Sequence, residues 1–165
     1  MKAIRIHFAE KGNELRMEEV PQPAPKADEV MIRTQAIGVN RADLGRRRTV
    51  SEGAQEPPRI PGLDVAGVVA SVGAHVSTWH PGDQVMALVR GAYAEYAVAP
   101  SVLTFRPPVG MPTTDAASLP CVFFTAWYAF QMAELKRGET ALIHAAGSGV
   151  GMAGIQIAKA LNQTT

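Results

Sequence analysis

"TALIHAAGSGVGMAGIQIAKAL", residues 140–161, decides the fold class. Its first six residues, 140–145, form a short apolar stretch of the kind that a parallel sheet buries on both faces. A glycine-rich loop follows, and then a helix in which Val150, Ala153, Ile157 and Leu161 share one face. Strand, loop and helix in that order make one unit of a doubly wound α/β sheet. Small residues in such a loop let backbone N–H groups and the positive helix end approach a pyrophosphate, and Gly149 and Gly151 leave that room. The G-x-G-x-x-G fingerprint is incomplete, because after Gly147 and Gly149 the third position is Met152. A tight turn with a purely structural purpose is therefore the competing reading. The residue that would read the adenosine ribose falls about 20 residues past the glycines, beyond Thr165, so this stretch does not distinguish NAD from NADP.

Upstream of that unit, "TTDAASLPCVFFTAWYAFQMAEL" (113–135) predicts a helix capped by Thr113 or Thr114. From Lys2 to about Val109 the apolar period is mostly two, with Ile4, Ile6 and Phe8 alternating with Arg5 and His7. The runs "EVMIRTQAIGV" (29–39) and "DVAGVVASVG" (64–73) suit long curved strands. "PQPAP" (21–25), "QEPPRIPG" (55–62) and "HPGD" (80–83) mark turns between them. That is the pattern of a small β-barrel, and no internal repeat accompanies it. The expected division is residues 1–120 as the barrel and 121–165 as a linking helix with the start of a dinucleotide-binding domain.

The chain has 165 residues, long enough for one cored domain and part of a second. Its formal charge of +1, from 16 basic and 15 acidic side chains, supplies no general attraction for nucleic acid or anionic lipid. The one basic cluster, Arg46 to Arg48, reads first as a solvated helix end. Charge interrupts every apolar stretch of "MKAIRIHFAEKGNELR" (1–16), which leaves neither a signal-peptide core nor a membrane span and predicts a cytoplasmic protein. Cys121 is the only cysteine, so neither an intrachain disulfide nor a thiolate zinc cluster can form. His7, His75, His80 and His144 stand apart without ligand-like spacing, and no metal is expected.

Several ordered segments resemble the medium-chain dehydrogenase/reductase superfamily, and within it the zinc-free quinone oxidoreductases. They are "GVNRADLGRRR" (38–48), "PRIPGLDVAGVVASVG" (58–73), "WHPGDQVMAL" (79–88), "GAYAEYAV" (91–98), "LPCVFFTAWYAF" (119–130) and "LKRGETALIHAAGSGVGMAGIQIAKAL" (135–161). The resemblance implies a mixed β and α/β fold, a GroES-like β-barrel followed by an incomplete Rossmann fold. It also implies a full chain roughly twice as long. Zinc alcohol dehydrogenases of the superfamily place a cysteine near Asn40 and a Gly-His-Glu near Gly62-Leu63-Asp64, and neither is present here. The implied activity is hydride delivery from NADP, with NAD as the alternative, to a quinone or an α,β-unsaturated carbonyl. Asn40 and Asp43 would line the cleft beside the nicotinamide. Thr125 would contact the cofactor, and the loop Ala146, Gly147, Ser148, Gly149, Val150 and Gly151 would hold its pyrophosphate.

Blander roles compete with each assignment. Asn40 and Asp43 also read as the cap and first turn of a short helix around 41–47. Thr125 can bond back to the preceding turn, and Tyr93 and Tyr96 read as packing residues. A substrate-facing tyrosine common in the resembled family is missing from "TVSEGAQEPP" (49–58). An apolar strand at 140–145 without neighbours would expose its ladder groups, so either a second copy or another chain completes the sheet, or the sequence is a piece of a longer chain. A non-catalytic barrel module acting in protein association is the alternative function.

Overall fold

In the computed structural model, which describes residues 1–9, 13–48 and 59–161 with only the backbone for 46–48, the period-two segments form antiparallel strands. β1 (Lys2–His7) and β2 (Glu14–Glu19) pair as a hairpin. β3 (Glu29–Gly38), β4 (Asp64–Val72), β5 (Gln84–Leu88), β6 (Tyr96–Pro100) and β7 (Thr104–Phe105) form a second sheet in the order β6-β3-β4-β5-β7. Register shifts at Met31/Ile32 and Thr34/Ala36 break the β3–β4 ladder. Bulges of this kind bend a strand and raise its twist, which curls the sheet toward a barrel. The hairpin leans on this sheet through an Ala3–Ala94 bridge and an Ile4 N–H bond to the Tyr93 carbonyl, 2.8 Å.

Val30, Ile32, Val65, Val69 and Val85 fill the concave side with almost no exposed surface. Burying one such side chain is worth up to about 1.5–3 kcal/mol. In β1 the burial does not follow simple alternation: Ala3 and Ile6 are buried, Ile4 is half-buried, and Phe8 lies past the strand, exposed. The hairpin touches the rest of the unit at separate points, the Ala3 bridge and an Ile6 N–H bond to the Arg59 carbonyl, so burial tracks those contacts rather than parity. The predicted turn at 80–83 forms. Pro81 and Gly82 (φ +98°) are its central residues, and Asp83 N–H closes it on the His80 carbonyl at 3.1 Å.

The chain divides into two compact units, Met1–Leu119 and Pro120–Thr165. The single helix expected after Pro112 is two helices, α2 (Thr113–Ala116) and α3 (Pro120–Met132). Pro120 causes the break: it disfavours helical geometry at Leu119, and its missing N–H suits the first turn of a new helix. Neither threonine caps α2, whose cap position is Pro112 with no side-chain bond. α1 (Arg41–Arg48) belongs to the first unit.

The second unit departs most from expectation. Residues 141–145 are not a strand, and Leu142 is 83% exposed. A buried parallel strand is stable only between neighbours that take its backbone groups, and no other described element of this unit is a strand. α4 (Gly149–Ala160) is present, but its buried stripe is Gly151, Ala153, Gly154 and Ala158, while Val150 and Leu161 stay exposed. The inner face is the one whose small residues permit close approach: a Cβ on Gly154 would touch the side chains of Ile143 and Phe130.

Candidate functional site

The first unit brings four polar residues together from three distant segments. α1 starts at Arg41, so Asn40 is its N-cap and Asp43 the third helical residue. Asp43 Oδ2 accepts the Asn40 backbone N–H at 2.9 Å, which is half of a capping box. The Asn40 side chain does not complete the box. It turns outward from the helix and donates Nδ2–H to Asp64 Oδ2 at 2.7 Å, at the start of β4. Asp43 Oδ2 also accepts the Tyr93 hydroxyl at 3.1 Å. Asp43 is 7% exposed and Asp64 1%. Carboxylates so placed are tolerable only when hydrogen-bonded.

The sequence placed Asn40 and Asp43 together but missed both partners. Tyr93 lies 50 residues from Asp43, and Asp64 lies 24 from Asn40, so no local spacing rule reaches them. One signal was available, the glycine at 62. Gly62 has φ +100°, and a Cβ there would lie 2.5 Å from Tyr93 Cδ1. Glycine is thus required twice, for its backbone and for the ring that lies on it. Burial first, then the Asp43 charge and hydrogen bond, then the Asp64 charge push the Tyr93 phenol up to about 12. It remains a protonated donor over the neutral range.

In the second unit the loop leads into α4 as expected. Ser148 is the N-cap, and its hydroxyl accepts Gly151 N–H at 3.1 Å, while Met152 N–H reaches the Ser148 carbonyl at 2.8 Å. The Gly149 and Val150 amides precede those two at the positive helix end. The three glycines differ. A Cβ on Gly151 would sit 2.5 Å from the Ala145 carbonyl oxygen, so its bareness serves the loop's own backbone. A Cβ on Gly149 would meet Val122 at 3.0 Å, whereas nothing lies within 4 Å of one on Gly147. Ala146 is half-buried behind the loop, and Ala145 adopts φ +52°, unusual for a residue with a side chain. The Thr125 hydroxyl bonds back to the Cys121 carbonyl at 2.7 Å.

His7 sits beside Glu18 and His75 beside Asp28. Among the described residues no three His, Cys, Asp or Glu side chains are grouped to hold a metal, and no helix is long and apolar enough to cross a membrane. The Arg46–Arg48 side chains and the tyrosine-free stretch 49–58 lie outside the described residues.

An antiparallel barrel-like sheet followed by a glycine-loop helix is the architecture of the GroES-like half of a medium-chain dehydrogenase/reductase. The family model of the alcohol dehydrogenase GroES-like domain matches residues 26–109, and the chain belongs to that family. It is 39% identical to a quinone oxidoreductase of Sus scrofa over 165 residues, covering 97% of this chain and 50% of the relative. It is also 38% identical to a synaptic vesicle membrane protein VAT-1 homolog of Danio rerio, covering 87% of this chain and 30% of that one. Among solved structures, the quinone oxidoreductase of Thermus thermophilus, described also in complex with NADPH, superposes with a TM-score of 0.77 at 32% identity, covering 99% of this chain and 51% of that one. The chain spans about half the length of the quinone oxidoreductases it matches.

Proposed function

We propose that the chain is the amino-terminal part of an NADPH-dependent reductase of quinones or α,β-unsaturated carbonyls that works without zinc. The observation that carries this reading is the Asn40–Asp64 hydrogen bond of 2.7 Å. Asn40 stands near where the zinc alcohol dehydrogenases place a cysteine, and its amide nitrogen is committed to a buried carboxylate. A carboxamide is a poor zinc ligand beside thiolate and imidazole. An acceptor that already delocalises charge needs no Lewis acid, and hydrogen bonds to the developing enolate or quinol oxygen serve instead.

The residues of the glycine loop fit a dinucleotide phosphate. The Gly149 and Val150 amides lie at the start of a 12-residue helix, and the space around Gly147 is open. They would hold the pyrophosphate, with Ala146, Ser148 and Gly151 shaping the loop and Thr125 contacting the cofactor. Bound NADPH would supply a hydride. Asn40 and Asp43 would orient the acceptor and exclude water from it. NADPH rather than NADH is supported by the complex described for the Thermus thermophilus relative, and a small carbonyl acceptor by the names of the quinone oxidoreductases.

A second reading, a barrel module kept for protein association, is favoured by the exposed apolar residues Tyr128, Met132, Leu142 and Met152 in the second unit. Calorimetric titration of this chain with NADPH and NADH separates the two. The reductase reading expects NADPH to bind with a dissociation constant of order micromolar, about −8 kcal/mol. A folded chain that binds neither leaves the association module.

A further inference from the structure

We propose that Tyr93 is a positioning residue: acting through Asp43, it fixes the direction of the Asn40 carboxamide, so that Asn40 Oδ1 faces a ligand as an open acceptor for a hydroxyl or amide N–H. The ligand-facing part of this inference rests on the reductase reading, in which Asn40 meets the substrate or cofactor.

The chemistry of the partners settles the orientation. Asn40 Nδ2–H donates to Asp64 Oδ2 at 2.7 Å, so the carboxamide oxygen points the other way. Asn40 Oδ1 has no partner among the described residues, and Asn40 is half-buried beside Asp64, which is 1% exposed. Asp43 holds the Asn40 backbone under that side chain twice, its Oδ2 accepting the Asn40 N–H at 2.9 Å and its own backbone N–H reaching the Asn40 carbonyl at 3.0 Å. Among the described residues Asp43 Oδ1 is buried without a partner, so Oδ2 is the only anchored end of this carboxylate. Its second anchor is the Tyr93 hydroxyl.

Tyr93 is fixed in turn. Its ring lies on Gly62, and its N–H bonds the Pro61 carbonyl at 3.0 Å. The raised phenol, about 12, keeps it a donor toward Asp43. Removing the hydroxyl therefore frees the carboxylate to rotate and releases the Asn40 amide, while the ring still packs.

The test is nuclear magnetic resonance on the ¹⁵N-labelled 165-residue chain as wild type, Tyr93→Phe and Tyr96→Phe. Tyr93→Phe is expected to speed hydrogen exchange of the Asn40 backbone amide about tenfold, the equivalent of one lost bond to a charged group, and to shift the Asn40 side-chain NH₂ pair. Tyr96→Phe is expected to do neither. Identical Asn40 signals in Tyr93→Phe and wild type overturn the proposal. If Tyr93→Phe does not fold, Asp43→Asn replaces it: tyrosine absorbance should then show the late phenol, near 12 in the wild type, ionising at lower pH, and no change overturns the proposal. Adding NADPH separates this inference from the reading beneath it. Should Asn40 respond to Tyr93→Phe while NADPH moves no resonance, the positioning stands and the reductase reading falls. Should NADPH bind while Asn40 ignores Tyr93→Phe, the reverse holds.

Discussion

The two units bury different kinds of residue. In Met1–Leu119 the innermost side chains are large and branched: Ile6, Ile32, Val30, Val65, Val69 and Val85. In the described part of Pro120–Thr165, the buried residues are Pro120, Ala126, Gly151, Ala153, Gly154 and Ala158, all small, while Trp127, Tyr128, Met132, Leu142 and Met152 are exposed. Both segments are rich in apolar residues, so composition does not separate them. The difference lies in the number of layers. The sheet curls so that its own strands cover one another, whereas the helices described in the second unit, α3 and α4, pack on each other, and a helix pair brought close by glycine and alanine leaves its bulky faces outside.

Truncations should break or confirm this contrast most sharply. Ile32→Ala is expected to cost about 2–5 kcal/mol, as for a filled core position, whereas Leu142→Ala, at a side chain 83% exposed, should lie within about 0.5 kcal/mol of wild type. Urea denaturation of both variants decides. Equal costs would mean that Leu142 is covered in solution, and the comparison would fail.

Gly151→Ala probes the inside of the second unit alone. A Cβ 2.5 Å from the Ala145 carbonyl oxygen must move backbone, at about 1–3 kcal/mol. Limited proteolysis should then open the segment after Pro120 and spare the barrel. If cleavage spreads equally through 59–119, the units are one cooperative body. Ser148→Ala removes the cap from Gly151 N–H and should cost about 1 kcal/mol. Hydrogen exchange should show the loss in the first turn of α4, with β3 and β4 unchanged.

A pH-dependent effect belongs to the first unit's polar cluster. Tyr93 has a folded pKa of about 12 against an ordinary 10, so the folded state holds this proton more tightly than the unfolded chain does. Its contribution to stability is complete below pH 10 and is lost as pH rises from 10 to about 12. Denaturation midpoints should fall across that window in the wild type and fall less steeply in Tyr93→Phe. Parallel profiles would remove Tyr93 from the cluster's energetics.

The sequence fared differently in the two units for the same reason. Strand runs at 29–39 and 64–73 and the turn at 80–83 are legible because period and turn chemistry are local, and they fold as β3, β4 and a glycine-centred turn. Asn40 and Asp43 are legible as a pair because they lie three positions apart, yet spacing does not tell their cap role from their site role. The split at Pro120 is written in the sequence, but the helical pattern on either side of it masks the break. The strand expected at 140–145 rests on apolar character, which reports what the segment would do between neighbours.

By itself, then, the sequence determined the curled sheet and the loop-and-helix unit, because each rests on spacing within a few residues, and carried the segments whose resemblance points to the class. Only the tertiary structure decided that Tyr93 and Asp64 complete the Asn40–Asp43 pair, that Gly151 serves the loop's own backbone, and that 141–145 is no strand. Those outcomes depend on which groups meet across dozens of residues, and on whether a layer is present to cover them.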